Sequence, residues 1–323
     1  MKKNQHATKA KKQRRVVLLF IISLIFVALA FAIALVNINY IVNQSFTETF
    51  YNTSSMKVNN KIRVIQISDL HSCTYGENNS QLVERVQKLK PDLIIFTGDC
   101  MDSGSNDMDG FLALCAQLAQ IAPSYYIYGN NEVDRCYGTP LTRTYLDAWF
   151  GFDDQNRDPK MLSERDDPFS DALKAQGVKV LKNQHDTVTI GNTTVDVYGV
   201  LTSNPSSFWP YAGDSFSEYL YTNENHLKIT AMHEPQILEV YEPDFWGDLM
   251  LAGHTHGGVM QVPMVGPLYT AEGGLFPEWS DCYVYGRYDV LGRPLIVSSG
   301  LDNSAVYRIN NQPEIVIVDI NRY

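Results

Sequence analysis

The chain has 323 residues, 45% of them hydrophobic, with 26 basic and 36 acidic side chains and a net charge of −10. That much apolar material excludes an intrinsically disordered chain. Seven of the basic residues and no acid lie in residues 1–36, leaving 19 basic against 36 acidic residues in the remainder; so acidic a body lacks the extended basic surface a nucleic-acid binder needs, and no nucleic-acid partner is expected.

Residues 1–15 form a basic tail. Residues 16–36 carry no charge, and at ~1.5 Å per residue they span the ~30 Å core of a bilayer. They read as a single transmembrane helix, and the positive-inside rule places the tail in the cytoplasm and the rest of the chain outside it. The competing reading is a cleaved signal peptide, with small-residue sites at 28–30 and 32–34, but signal h-regions are usually only ~7–15 residues long. Arg14-Arg15 matches a twin-arginine export signal only loosely. Residues 37–60, polar and without sustained periodicity, read as a juxtamembrane linker, and residues 61–323 as the folded domain.

That domain opens on a β-branched run, 62–68, which ends at Asp69-Leu70-His71. Helical periodicity follows over 80–89, with Ser80 as a cap and Pro91 beyond the end. A second buried strand, 93–97, then ends at Gly98-Asp99-Cys100-Met101-Asp102. A helix over 110–121 and a strand over 124–128 lead to Gly129-Asn130-Asn131-Glu132. Strand, crossover helix and strand make a βαβ unit, with its site at the carboxyl edge of the sheet. Residues 134–168 break the rhythm with Trp149, Phe150, Phe152 and clustered acids; the segment suits either a lid over the site or a solvated surface excursion. A short helix over 169–176 and strands over 178–181, 187–190 and 194–200 follow, with a hairpin turn at Gly191-Asn192. The strand 227–232 delivers His233, and the apolar run 249–252 delivers Gly253-His254-Thr255-His256-Gly257-Gly258. Side chains two apart on an extended segment share a side, so both imidazoles could face one site. Strands over 283–289, 294–298 and 315–320 close a second sheet.

Five cysteines (Cys73, Cys100, Cys115, Cys136, Cys282) have neither zinc-finger nor disulfide-framework spacing. Cys115 reads as a buried helix residue, while a Cys73–Cys100 pairing stays open.

Taken together, Asp69-x-His71, Gly98-Asp99-x-x-Asp102, Gly129-Asn130-Asn131-Glu132, His233 and Gly253-His254-x-His256 resemble, in order, the signature of the calcineurin-like metallophosphoesterase superfamily; residues 298–301 and 313–315 resemble its membrane-anchored bacterial branch. The resemblance implies an α/β fold, a four-layer αββα sandwich of two mixed sheets, here preceded by one transmembrane helix. It also implies a dinuclear site in which Asp69, His71 and His256 bind one metal, Asn130, His233 and His254 the other, and Asp99 both. The mixed nitrogen and oxygen donors suit Mn, Fe, Zn or Co better than Ca. Such a site hydrolyses phosphate esters with a metal-bound hydroxide. Asn131 and Glu132 are the candidate catalytic residues. The family carries histidine where this chain has Asn131, and an amide has no proton to give at a useful pKa, so a phosphodiester or pyrophosphate with a good leaving group is the expected substrate. A lipid-linked or envelope-associated substrate suits the anchor, and Pro263, Met264, Val265, Leu268, Leu275, Phe276 and Trp279 would suit an acyl chain or ordinary loop packing. Two alternatives stay open, a metal-binding sensor or scaffold and a broad extracellular nucleotidase. His185 and His226 read as structural.

Overall fold

The computed structural model describes residues 2–102, 108–137, 167–201, 213–240, 247–258, 260–270, 274–277, 282–303 and 308–323. Two six-stranded mixed sheets pack face to face with helices outside, the αββα sandwich. The first sheet has the order β1-β16-β2-β3-β4-β5, built from β1 (Thr47–Ser55), β2 (Ile62–Ile67), β3 (Leu93–Phe96), β4 (Ser124–Tyr126), β5 (Val178–Val180) and β16 (Glu314–Arg322). The second has the order β14-β15-β9-β8-β7-β6, from β6 (Gln184–Ile190), β7 (Thr193–Gly199), β8 (Leu227–Ala231), β9 (Leu249–Ala252), β14 (Gly286–Val290) and β15 (Arg293–Val297).

Strand parity decides which layer each side chain joins. On β2, Ile62 and Val64 point between the sheets, where they meet Val195, Ile229 and Leu251 of the second sheet; Ile65 and Ile67 point outward. The outward set packs under α2 (Ser80–Leu89), α3 (Met108–Ala119) and α5 (Pro168–Ala175), through Leu82, Val86, Leu114, Leu118 and Leu173. On the far side, α6 (Gly213–Tyr221) lays Tyr219 on the second sheet. Gln66 falls on the inner face of β2 and is fully buried, so its amide needs partners. It donates to Thr97 Oγ1 at 3.0 Å and, across the gap, to Ala252 O of β9 at 2.7 Å. This polar tie aligns the site-bearing ends of the two sheets.

The helix at the amino terminus, α1 (Lys2–Asn43), contains a 30-residue segment, Arg14–Asn43, long and apolar enough to cross a membrane. Residues 37–60 differ from the expected linker. The helix continues to Asn43, and 47–55 form β1, an edge strand paired in parallel along all nine residues with β16. A ladder of backbone hydrogen bonds needs no apolar pattern, and most of β1 is only half-buried, so Thr, Asn and Ser serve there. The last strand also departs from expectation. The run 315–320 lies in the first sheet, inserted between β1 and β2, and only β14 and β15 close the second. Residues 130–132 open a short helix, α4 (Asn130–Tyr137). Four further short strands form two small hairpins after β9, β10 (Gln261–Val262) with β11 (Gly266–Pro267), and β12 (Tyr269–Thr270) with β13 (Gly274–Leu275). The core of the expected lid, 138–166, lies outside the described residues.

Candidate metal centre

The strand ends of both sheets converge on one edge. Asp69 and His71 follow β2, Asp99 follows β3, His233 follows β8, and His254 and His256 follow β9. Five of these residues leave their strands in the left-handed region: Asp69 (φ 49), His71 (φ 46), Asp99 (φ 50), His254 (φ 73) and His256 (φ 49). The expected extended geometry is therefore replaced by sharp turns. Left-handed backbone costs an L-residue about 1–2 kcal/mol, and such strain concentrates at functional sites because surrounding contacts hold it there.

The turns sort the side chains into two groups whose ligand atoms lie within 4.8 Å of one another, Asp69 with His71 and His256, and Asp99 with His233 and His254. In the first, the Nε2 atoms of His71 and His256 face each other at 3.1 Å, with Asp69 Oδ1 3.6 Å from the latter. In the second, His233 Nε2 lies 3.2 Å from His254 Nδ1 and 3.3 Å from Asp99 Oδ2. That same oxygen of Asp99 is 3.9 Å from His71 Nε2, so it stands between the groups.

The outer partners fix which ring nitrogen is free. His71 Nδ1 meets Asp102 Oδ1 at 2.8 Å, and His233 Nδ1 meets the carbonyl of Thr97 at 2.8 Å. In the neutral rings both Nδ1 atoms then act as donors, which leaves both Nε2 lone pairs pointing into the site, the arrangement that metal-ligating histidines adopt. Asn130 Oδ1 fits the same reading. It is a buried acceptor with no hydrogen-bond partner among the described residues, and a cation would satisfy it. Next to it, Asn131 donates its backbone N–H to Asp99 Oδ1 at 2.9 Å and its amide to Asp99 Oδ2 at 2.6 Å. The donor set therefore fits divalent ions that accept nitrogen and oxygen together.

Close backbone approach makes this possible. A Cβ on Gly253 would collide with Ser68 Oγ and Asp69 Oδ2, and one on Gly129 would collide with Asp99 Oδ1. Ser68 Oγ donates to Asp69 Oδ2 at 2.5 Å, and the His254 N–H donates to both Asp69 oxygens at 3.0 and 3.1 Å. Glu132, expected beside Asn131 as catalytic, is completely buried. It accepts from the N–H groups of Asp99 (2.8 Å), Met101 (3.1 Å) and Gly129 (2.9 Å) and from the Tyr126 hydroxyl (2.7 Å). As the third residue of α4 reaching back to the N–H before the helix, it is half of a capping box. It holds the Asp99 and Asn130 loops together.

Electrostatics at the metal-free site is dominated by carboxylates. Burial opposes protonation of His71, but its hydrogen bond to Asp102 and the charges of Asp99, Asp69 and Asp302 outweigh it and push its pKa to about 9. Burial is likewise overcome at His233, which Asp99, Asp69 and Glu234 push to about 10. Burial and the charges of His71 and Arg308 hold His256 well down. Burial works against ionisation of Asp99, yet His233 and His71 keep its carboxyl well below the usual range. Burial and Asp99 raise Glu132.

A pH dependence follows. With their pKa values pushed to about 9 and 10, His71 and His233 hold protons at neutral pH while no ion is bound, and ligation through either would need its ring neutral. Metal affinity should therefore rise with pH up to about 9 to 10 and level off above. Calorimetric titrations in buffers of different ionisation enthalpy should show about one proton released per ion at pH 7; affinity that is flat from pH 6 to 9 would contradict the assignment. A second expectation concerns Asp102, whose removal leaves His71 ligating but unoriented. Asp102→Asn should weaken one metal site by about 10–100-fold and spare the other, as read by stepwise metal competition with a chelator.

Three partners were invisible in the sequence. Arg308 is fully buried; its Nη2 donates to Ser299 O and lies 3.5 Å from His256 Nδ1. Asp302 Oδ2 is 3.7 Å from the same nitrogen. The Thr97 carbonyl is backbone and leaves no trace in residue identity. Asp102, in contrast, was legible as the second acid of its motif. His185 and His226 lie outside both groups, and His226 pairs with Asp196 at 3.0 Å. The five cysteines, Cys73 and Cys100 included, are free thiols. Trp279 lies outside the described residues.

The comparisons with known proteins fit this geometry. The family model described as calcineurin-like phosphoesterase matches residues 62–258, from the first residue of β2 to the glycines after His256. Phosphodiesterase YaeI of Escherichia coli is 25% identical over 261 residues, covering 80% of this chain and 82% of that protein. The uncharacterized metallophosphoesterase YkuE of Bacillus subtilis is 27% identical over 260 residues, 79% of this chain and 77% of that one. The UDP-2,3-diacylglucosamine pyrophosphatase LpxG of Chlamydia muridarum is 27% identical over 232 residues, 62% of this chain and 65% of that one.

Proposed function

Because this chain belongs to the calcineurin-like phosphoesterase family, we propose that its two ligand groups hold a pair of divalent ions with which it hydrolyses a phosphodiester or a pyrophosphate bond. The protein is a metallophosphoesterase acting on a phosphate-containing substrate; the bond class, the anchor and the ligand roles are the proposal. Asp69, His71 and His256 take one ion, Asn130, His233 and His254 the other, and Asp99 both. The observation that carries this is the position of Asp99 Oδ2, 3.3 Å from His233 Nε2 in one group and 3.9 Å from His71 Nε2 in the other. When bound, such a pair supplies a water nucleophile at neutral pH and neutralises charge developing at phosphorus. The ions would be Mn, Fe, Zn or Co, given the donors.

The chain's own residues do the rest. Asp102 and the Thr97 carbonyl aim the imidazoles, and Glu132 sets the spacing of the Asp99 and Asn130 loops. Asn131, bonded through its amide to Asp99, can donate a hydrogen bond to a substrate oxygen but cannot release a proton. A bond whose leaving group departs as a stable anion suits it, and the names of the phosphodiesterase and pyrophosphatase relatives support that class. The segment Arg14–Asn43 anchors the enzyme in the membrane, with its basic tail in the cytoplasm and the domain outside. That placement favours a lipid-linked or envelope substrate.

The test uses the purified full chain in detergent, loaded separately with Mn, Zn or Fe. Aryl phosphodiesters and nucleotide-sugar pyrophosphates should turn over with a steep dependence of log kcat on leaving-group pKa. Asn131→His should flatten that slope, raising kcat for alkyl leaving groups by up to the ~10²–10⁴-fold typical of general acids and changing nitrophenyl substrates little. Tight binding of two ions with no hydrolysis of any ester would favour the sensor reading instead. Equal slopes in both proteins would show that Asn131 does not limit the reaction.

A further inference from the structure

We propose that the edge carrying the metal-ligand groups rests against the bilayer, with the two small hairpins after β9 forming a second, non-spanning lipid contact beside α1. This builds on the reading of α1 as the membrane anchor.

Register supplies the first argument. β16 runs antiparallel to β2 and parallel to β1, with Thr47 opposite Glu314 and Val316 opposite Gln66. The chain thus enters the domain from α1 at the same edge where β2 delivers Asp69. From there β1 carries it about 26 Å away, at ~3.3 Å per residue.

Hydrogen bonds supply the second. The end of α1 is docked, because the amides of Asn39 and Asn43, one turn apart, both donate to Arg308 O at 2.7 Å, and Gln312 Nε2 donates to Val42 O at 3.3 Å. Arg308 touches the candidate ligand His256. The same segment carries the hairpins. Gln261 N donates to Ile309 O at 3.0 Å, Asn310 Nδ2 donates to Gln261 O at 3.1 Å, and Asn310 N donates to Asn39 Oδ1 at 3.4 Å. The second hairpin is pinned to the first by Leu268 N to Met260 O and Phe276 N to Leu268 O, both 2.8 Å.

Exposure supplies the third. Met264 is fully exposed, and Val265, Leu275 and Ile309, on the same bonded segments, are exposed as well. Scattered surface apolar residues need no partner, but these are gathered on loops bonded to the end of an apolar helix. Met264 lies three residues beyond Gln261, a reach of about 10 Å in extended chain. Asn39, linked to Gln261 through Asn310, is only about 4.5 Å of helix rise from residue 36. The tip of the first hairpin can therefore meet the lipid at the depth where the helix leaves it. No lysine or arginine lies among residues 260–277, so the contact is apolar and should be indifferent to salt. A phosphate ester or anhydride held at headgroup depth would then meet the ligand groups without leaving the membrane.

The test places the wild-type full chain in nanodiscs of phosphatidylcholine and phosphatidylglycerol whose acyl chains carry a photoactivatable diazirine, with adducts mapped by peptide mass spectrometry. Adducts are expected in residues 16–36 and 261–276, equally at 50 and 500 mM salt, and none at the exposed Leu291, on the β14–β15 turn. Met264→Ser combined with Leu275→Ser should remove most hairpin adducts and leave those in the helix. Adducts confined to residues 16–36 would overturn this contact while sparing the anchor. Adducts in neither segment would overturn both, and equal labelling of Leu291 would remove the case for a specific face.

Discussion

Asp99→Asn should lose metal occupancy and hydrolysis together, by more than the about 10–100-fold that an outer partner such as Asp102 costs. The carboxylate is almost fully buried, and one oxygen addresses both ligand groups while accepting the Asn131 amide. An amide in its place offers a single weak acceptor and puts an NH2 group against either an imidazole or the Asn131 donor. It also removes the negative charge that, with its neighbours, keeps His71 and His233 protonated in the metal-free protein. That loss lowers the proton competition a metal must overcome, but it offsets only part of a missing ligand charge. Elemental analysis after dialysis, compared across wild type, Asp99→Asn and Asp102→Asn, would measure the difference. Two ions retained at wild-type affinity in Asp99→Asn would refute the shared-ligand assignment.

Glu132→Ala should be the most destabilising single change at the site, by about 4 kcal/mol or more, because it strands four donors in a dry interior at ~1–3 kcal/mol each, partly offset by entering water. Three are the N–H groups of Asp99, Met101 and Gly129, and the fourth is the Tyr126 hydroxyl. Glu132→Gln should cost less, since one oxygen can keep two of the donors and the tyrosine can turn to accept. Urea unfolding of the metal-free protein with both variants gives the order. A stability in Glu132→Ala within about 1 kcal/mol of wild type would show that the two loops are held by other means. A residue that acted only on substrate would leave that midpoint unchanged.

Much of the site was readable because it is built from strand ends. Buried strands announce themselves by apolar runs, and the acids, amides and histidines that stop those runs had to sit on one sheet edge. The left-handed turns were not readable in the same way, since nothing in the letters of Asp69 or His256 demands positive φ; the demand comes from neighbours such as Gly253 and Gly129 that let the loops close. β1 was missed because an edge strand bonded only through its backbone needs no alternation of apolar residues. The place of β16 was missed because strand order is set by packing across more than 200 residues. Arg308 was missed for the same reason, as its meeting with His256 is a long-range contact.

The pairing of β1 with β16 also governs the order in which the molecule can be assembled. Thr49 and Glu314 are hydrogen-bonded across 265 residues of chain, so β1 can find β16, its one sheet neighbour among the described residues, only after residues 314–322 have been made. Non-local pairing of this kind is slow. Until it happens, the apolar centre of β16 and the edge of β2 that it covers are open to other chains. Deleting residues 314–322 would therefore do more than shorten the protein, leaving the domain's first sheet without β16 and β1 without its partner.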